Sequence, residues 1–306
     1  MSRDWLDVHC LPDGQRHRMP NDDDGHVAVA NLARHREAIV CFEATGGQEW
    51  RLWFYLEDAG VEARPVPPAQ VKVFARSLGT RAKTDRIDAE LIARFMIFRP
   101  DAGRALPAEH LRLLRALTTR RAQVVEMRKR LLAQIRAHRK SGTAELLEDI
   151  DLELKERLNV AITELESRVS ELLGHDRRLV DTTRILRSVP GIGPAASSTL
   201  IAELPGRGAL TGKKVAALNG LAPVEQDRGT LRGKRTIVGG RRALRYVLFQ
   251  AALVASHHNP ALKAFADRLR KAGKPHKVIV TAVARKLVII ANALCKRRRE
   301  WEPRHP

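Results

Sequence analysis

Three carboxylates, Glu43, Asp85 and Asp88, stand out as residues whose type and spacing can do chemistry. Asp85 and Asp88 lie three apart in Lys83-Thr84-Asp85-Arg86-Ile87-Asp88-Ala89-Glu90, which opens a helix running on through Leu91, Ile92, Phe95 and Met96. At that spacing both side chains project from one face of the first turn, and Thr84 or Asp85 can cap it. Glu43 closes the short apolar run Ala38 to Phe42, just ahead of Ala44-Thr45-Gly46-Gly47. Two acids at a helix start can simply complement the helix dipole. A third at a strand end, in a chain of formal charge +20 that suits a polyanion, makes the set that Mg²⁺-dependent phosphodiester chemistry needs. Hard cations take oxygen ligands, and two metals about 4 Å apart clamp the attacking and leaving oxygens of an in-line displacement.

The elements that must position these groups read as α/β over the first hundred residues. Asp4 to Leu11 alternates as a strand, turns at Pro12-Asp13-Gly14, and returns over Gln15 to Met19. Val27 to Arg36 has helical spacing, Gln48 to Ala59 is a second helix stopped by Gly60, and Val61 to Val66 is a strand closed by Pro67-Pro68. Strands alternating with helices predict a mostly parallel sheet covered on both faces, whose active groups gather at the carboxyl ends of the strands. Glu43 stands at such an end.

From Glu109 to about Gly174 the pattern changes to long helices. Leu117, Val124 and Leu131 recur at sevens; after Ser141-Gly142, Leu146, Ile150, Leu154, Leu158, Ile162, Leu165, Val169 and Leu172 recur at threes and fours. An antiparallel coiled-coil hairpin is the expectation, and its narrow seam favours pairing with a second copy of the chain. Beyond Thr182 the chain is helical again. Ser188-Val189-Pro190-Gly191-Ile192-Gly193-Pro194 resembles the turn of helix-hairpin-helix modules, in which glycines such as Gly191 and Gly193 let backbone N–H groups approach a phosphate. The expected domains are an α/β domain over 1–105, a helical hairpin over 106–180 and a basic helical domain over 181–306.

Charge says what this protein meets. Its 306 residues carry 55 Lys plus Arg against 35 Asp plus Glu, a formal +20 that fits a polyanionic partner. Between Glu225 and Arg299 there are 19 Lys or Arg and three acids, net +16. They fall in recurring runs: Arg232, Lys234 and Arg235; Arg241, Arg242 and Arg245; Lys271, Lys274 and Lys277; Lys296 to Arg299. Phosphates offset such crowding by releasing condensed counterions. Aromatic residues are only 4%, too few for an extended base-stacking surface. The longest apolar stretch, Val278 to Ile290, is broken by Arg285 and Lys286, which argues against a membrane span, and no signal peptide opens the chain. Three widely spaced cysteines, Cys10, Cys41 and Cys295, fit a reducing cytoplasm, with the protein on the nucleoid.

Cys41-Phe42-Glu43-Ala44-Thr45-Gly46, Val66-Pro67-Pro68-Ala69-Gln70-Val71-Lys72 and Lys83-Thr84-Asp85-Arg86-Ile87-Asp88-Ala89 together resemble the amino-terminal half of insertion-sequence 110 family transposases. Val189 to Pro194, Leu218-Asn219-Gly220-Leu221-Ala222-Pro223, Leu231-Arg232-Gly233-Lys234-Arg235 and Gly239-Gly240-Arg241-Arg242-Ala243-Leu244-Arg245 resemble the family's second, transposase-20-type domain. The resemblance implies a RuvC-like, RNase H-fold domain with an Asp-Glu-Asp-Asp tetrad holding Mg²⁺, two ions in an intact site. It also implies a recombinase that mobilises its own element on DNA, guided by a structured RNA. Glu43 matches the tetrad's glutamate, and Asp85 and Asp88 its last two aspartates; the first would fall upstream of Met1. The family's nucleophilic serine, in an Asp-Ser-Gly context, is matched here by Arg228 of Asp227-Arg228-Gly229. A guanidinium is always charged and cannot act as a nucleophile, though it still binds phosphate. Impaired strand exchange is therefore the expectation, with Arg232, Lys234, Arg235, Arg241, Arg242 and Arg245 gripping nucleic acid. The alternatives are a DNA- or RNA-binding remnant without catalysis, and a metal-dependent junction nuclease.

Overall fold

The computed structural model describes residues 2–44, 47–79, 85–103, 105–204, 210–224, 236–237 and 242–303; for 85–87, 223–224, 236–237 and 242 it describes the backbone course alone. The chain divides into two compact units, Met1–Pro107 and Ala108–Pro306.

In the first unit, β1 (Trp5–His9) and β2 (Arg16–Pro20) pair antiparallel, with Leu6 opposite Met19 and His9 opposite Arg16. Helix α1 (Asp23–His35) follows at once. The Asp22 carboxylate accepts from the Gly25 N–H, Asp23 and Asp24 sit in its first turn, and Arg34 and His35 sit in its last, each matched to the helix dipole. Next come β3 (Val40–Glu43), α2 (Glu49–Asp58), β4 (Ala63–Val66), α3 (Pro68–Ser77) and α4 (Asp85–Phe98). β3 and β4 run parallel, placing Glu43 opposite Val66, as the crossover through α2 requires. The expected single, mostly parallel sheet is instead two separate two-stranded ladders, one antiparallel and one parallel. They share one core: Leu6 of β1, Phe42 of β3 and Ala63 of β4 are buried with Val29, Leu52, Trp53 and Leu56. Side-chain packing, rather than a continuous ladder, brings the strands together.

His26 of α1 is buried here, its Nε2 2.9 Å from the Asn21 Oδ1 that accepts from it. Burial, aided by the Arg51 cation, pushes its pKa below the ordinary 6.5. The folded unit thus keeps His26 neutral where the unfolded chain would protonate it. Stability is full above about pH 6.5 and declines as pH falls from there towards the lowered folded value. Thermal melts at pH 7.5 and 5.5 should show this loss, and His26→Gln should flatten the difference.

The second unit starts with two long helices, α5 (Glu109–Ser141) and α6 (Glu148–Gly174). α5 ends at Gly142, whose φ of +73° makes the left-handed cap that reverses the chain. Arg121 pairs with Glu166, Arg128 donates to Asn159 and His138 meets Asp151, so numbers rise along α5 as they fall along α6: the helices are antiparallel. Leu114, Val124, Leu131, Ile162, Val169 and Leu173 are buried along them. Near the tip the predicted apolar seam gives way to the His138–Asp151 pair, and Leu146, Ile150 and Leu154 are 81%, 57% and 45% exposed.

Then come α7 (Arg177–Arg187), α8 (Pro194–Glu203), α9 (Gly212–Leu218), the short pair β5 (Pro223–Val224) and β6 (Thr236–Ile237), α10 (Arg242–His258), α11 (Pro260–Lys271) and α12 (His276–Arg297). Leu114 of α5 and Val169 and Leu173 of α6 share one core with Leu186, Leu200, Leu248, Leu262, Val283 and Leu287. α12, 22 residues long, is apolar enough by length and composition to cross a membrane. Here it is a core helix, with Ile279, Val280, Val283, Ala284, Leu287, Val288 and Ala291 buried against its neighbours. All three cysteines are free thiols.

Candidate active site and nucleic-acid surface

Glu43 is the last residue of β3, and its register partner Val66 ends β4. Val66 is buried against Leu91 and Phe95 of α4, and α4 packs on both β1 and β3. Asp88 stands three residues before Leu91 and so lies one turn back on the same face of α4. The fold thereby brings Asp88's helix to the strand ends that carry Glu43. Both carboxylates are half-buried, and neither has an ion-pair or hydrogen-bond partner among the described residues. Two unpaired carboxylates on packed elements are a donor set that suits a hard divalent cation. Asp85 opens α4, but its side chain lies outside the described residues, and no group of three metal-ligating residues converges among those described.

Sequence reasoning passed over the groups that hold α4 in place. Arg16 of β2 donates to Glu90 Oε2 at 2.7 Å, and Arg94, one turn on, reaches the other oxygen at 2.6 Å. Glu90 is thus neutralised from both sides, in contrast to Glu43 and Asp88. A pairing across 74 residues leaves no mark on local periodicity.

Of the predicted nucleic-acid residues, Arg228, Arg232, Lys234, Arg235 and Arg241 lie outside the described residues. Arg242 is the first residue of α10, its side chain likewise outside, and Arg245 is half-buried one turn further on. Gly191 lies in the turn between α7 and α8 at φ +106°, where a Cβ would meet the Ala255 Cβ at 2.5 Å and the Ala251 carbonyl oxygen at 2.9 Å. Its bare Cα therefore faces α10. Gly193, the N-cap of α8 at φ −84°, has open space around it.

One ion pair ties the long helices to this turn's second helix. Arg115 of α5 meets Glu203 of α8 at 2.8 Å, and the Glu203 side chain is nearly buried. Removing one cation from a buried carboxylate costs stability, though Arg115 is itself 41% exposed and its share is screened. Arg115→Leu should lower stability by about 1–2 kcal/mol in urea denaturation, and Arg115→Lys by less.

Comparison with known proteins agrees with this layout. A transposase family model for the Asp-Glu-Asp-Asp domain of IS110 elements matches residues 11–141, and the model described as "Transposase IS116/IS110/IS902 family" matches residues 183–267. The chain belongs to the IS110/IS116 transposase family. The first match takes in Glu43, Asp85 and Asp88 and runs to the last residue of α5; the second spans α7 to α11, with Gly191, Gly193, Arg228 and Arg245. Among relatives of this transposase, the "Pilin gene-inverting protein" of Moraxella bovis is 28% identical over 87% of the chain and 82% of its own length. The protein of the same description from Moraxella lacunata gives the same figures. An "Insertion element IS116 uncharacterized 44.8 kDa protein" of Streptomyces clavuligerus is 24% identical over 94% of the chain and 90% of its length.

Proposed function

We propose that this transposase family member acts on DNA by exchanging phosphodiester strands of its own element, guided by a structured RNA, and that the chain as it stands is impaired in that exchange. The observation that carries the first half is the placement of Glu43 at the end of a parallel strand, against the helix that Asp85 and Asp88 open. Glu43, Asp85 and Asp88 are the residues that would hold Mg²⁺. When bound, Mg²⁺ supplies Lewis-acid stabilisation of charge on the attacking and leaving oxygens. The unpaired state of Glu43 and Asp88 supports this, since carboxylates already neutralised by arginine, as Glu90 is, make poor ligands.

The mixed α/β first unit is compatible with a RuvC-like, RNase H-type fold. A formal charge of +20 supports a nucleic-acid partner. Arg232, Lys234, Arg235, Arg241, Arg242 and Arg245, with the open N-cap of α8 at Gly193, are proposed to grip it, while Gly191 serves the packing of its turn on α10. The relatives named for inverting a pilin gene support DNA rearrangement as the reaction class. The exposed tip residues Leu146, Ile150 and Leu154 support self-association through the α5–α6 pair.

The impairment rests on Arg228, which stands where the resemblance puts the nucleophilic serine. That same residue favours a second reading, a protein that binds element ends or RNA without cutting them. The test is a recombination assay with purified protein, donor and target DNA, cognate RNA and Mg²⁺. DNA binding without recombinant junctions is expected; junctions would overturn the impairment, and absence of DNA binding would overturn the recombinase reading.

A further inference from the structure

We infer that the turn between α11 and α12 is a contact surface for the phosphate backbone of duplex DNA, resting on the recombinase reading above. Residues 270–278 are exposed without a break, and Arg270, Lys271, Lys274 and Lys277 all fall in that stretch, with Arg268 and Lys263 exposed on α11 beside it. The one carboxylate within α11, Asp267, is taken by Arg270. Lys271, Lys274 and Lys277 have no acidic partner among the described residues. The first turn of α12 holds no acid, so nothing there offsets them. Gly273 at φ +70° makes the turn, with nothing within 4 Å of where a Cβ would lie.

This is the reverse of the Gly191 turn, whose bare Cα is closed off by α10. Both turns join two helices through a positive-φ glycine, but the cationic, open one is at Gly273. Three lysines crowded at one helix junction repel one another, and a row of phosphates relieves that repulsion while releasing counterions.

Duplex, rather than single-stranded, nucleic acid fits because the exposed stretch 270–278 holds no Phe, Tyr or Trp for a base to stack on, only the single imidazole of His276. Phe265, the aromatic residue of α11, is covered by the Lys286 ammonium at 4.2 Å and the Arg268 guanidinium at 5.4 Å from its ring centre. Proteins that hold single strands rely on such stacking platforms, whereas a duplex presents only phosphates and sugars to its flanks.

The test compares the full-length chain with Lys271→Gln/Lys274→Gln/Lys277→Gln, and with Arg136→Gln/Arg139→Gln/Lys140→Gln at the end of α5 as an equal loss of exposed charge. Affinity for a short DNA duplex is read by fluorescence anisotropy across a salt series, with single-stranded RNA of equal length in parallel and circular dichroism confirming folding. Each lost phosphate contact lowers the salt slope by about one. The lysine variant should lose about two to three from its duplex slope, the α5 variant should keep the wild-type slope, and the RNA slope should change less. An unchanged duplex slope, an equal drop in both variants, a larger loss on RNA, or an altered oligomeric state with an unchanged slope would each overturn the inference. A flat salt response in the wild-type chain would instead remove the nucleic-acid reading itself.

Discussion

Gly191→Val should destabilise the helical unit by about 2–6 kcal/mol, summing two effects of about 1–3 kcal/mol each. A side chain at φ +106° is strained whatever space surrounds it. The added Cβ would also fall 2.5 Å from the Ala255 Cβ and 2.9 Å from the Ala251 carbonyl oxygen, so the turn or α10 must move. Ala251 and Ala255 belong to the same core as Val189 and Ile192, which leaves no soft direction for that movement. In a unit of this size the melting temperature should fall by about 10 °C. Gly193→Ala is the control: its φ is −84° and its surroundings are open, so a change within about 0.5 kcal/mol is expected. A Gly191→Val protein that melts alongside the wild type would show that the turn does not rest on α10 as described.

The second large effect is a gain. Arg228→Ser, made in a chain extended upstream by the strand that carries the tetrad's first aspartate, should convert a chain that forms no covalent DNA adduct into one that does, at a rate at least about 100-fold over background. The change replaces a permanently charged guanidinium by a hydroxyl able to attack phosphorus once its proton is taken up, breaking one strand P–O bond whose oxygen leaves, protonated, as the free hydroxyl of the released DNA end. The adduct, visible as protein-linked DNA in denaturing gels, should depend on Mg²⁺. It should disappear again when Asp88→Asn is added, since that change removes an anionic ligand while keeping the side-chain shape. If the extended Arg228→Ser chain stays silent yet binds DNA with a steep salt slope, the chain is a binding protein and the recombinase reading gives way to the second one.

Much of this molecule is legible in the order of its residues. Alternation over Trp5–His9 and Arg16–Pro20, broken by Pro12-Asp13-Gly14, announces the hairpin, and the run ending at Glu43 announces β3. The start of α4 at Asp85 is written in local sequence because helix starts are local events. Periodicity also yields two long helices, but it misjudges where their apolar stripe is used. Leu146, Ile150 and Leu154 repeat with helical spacing like the residues after them, yet Leu146 precedes α6, and Ile150 and Leu154 stay exposed although α5 reaches Asp151, between them, through His138. A stripe records only that a face is apolar; its partner decides whether the face is buried.

By itself, the sequence determined the element types, the +20 charge, the family's carboxylates and the arginine at 228, because each is set by residue identity or by neighbours within a few positions. Tertiary structure alone decided that the first unit's strands form two ladders around one core, that Arg16 clasps Glu90, that Gly191 is held against α10, and that the open cationic turn is the one at Gly273. Those features are contacts between segments far apart in the chain. Their geometry follows from how whole elements pack, which no local pattern encodes.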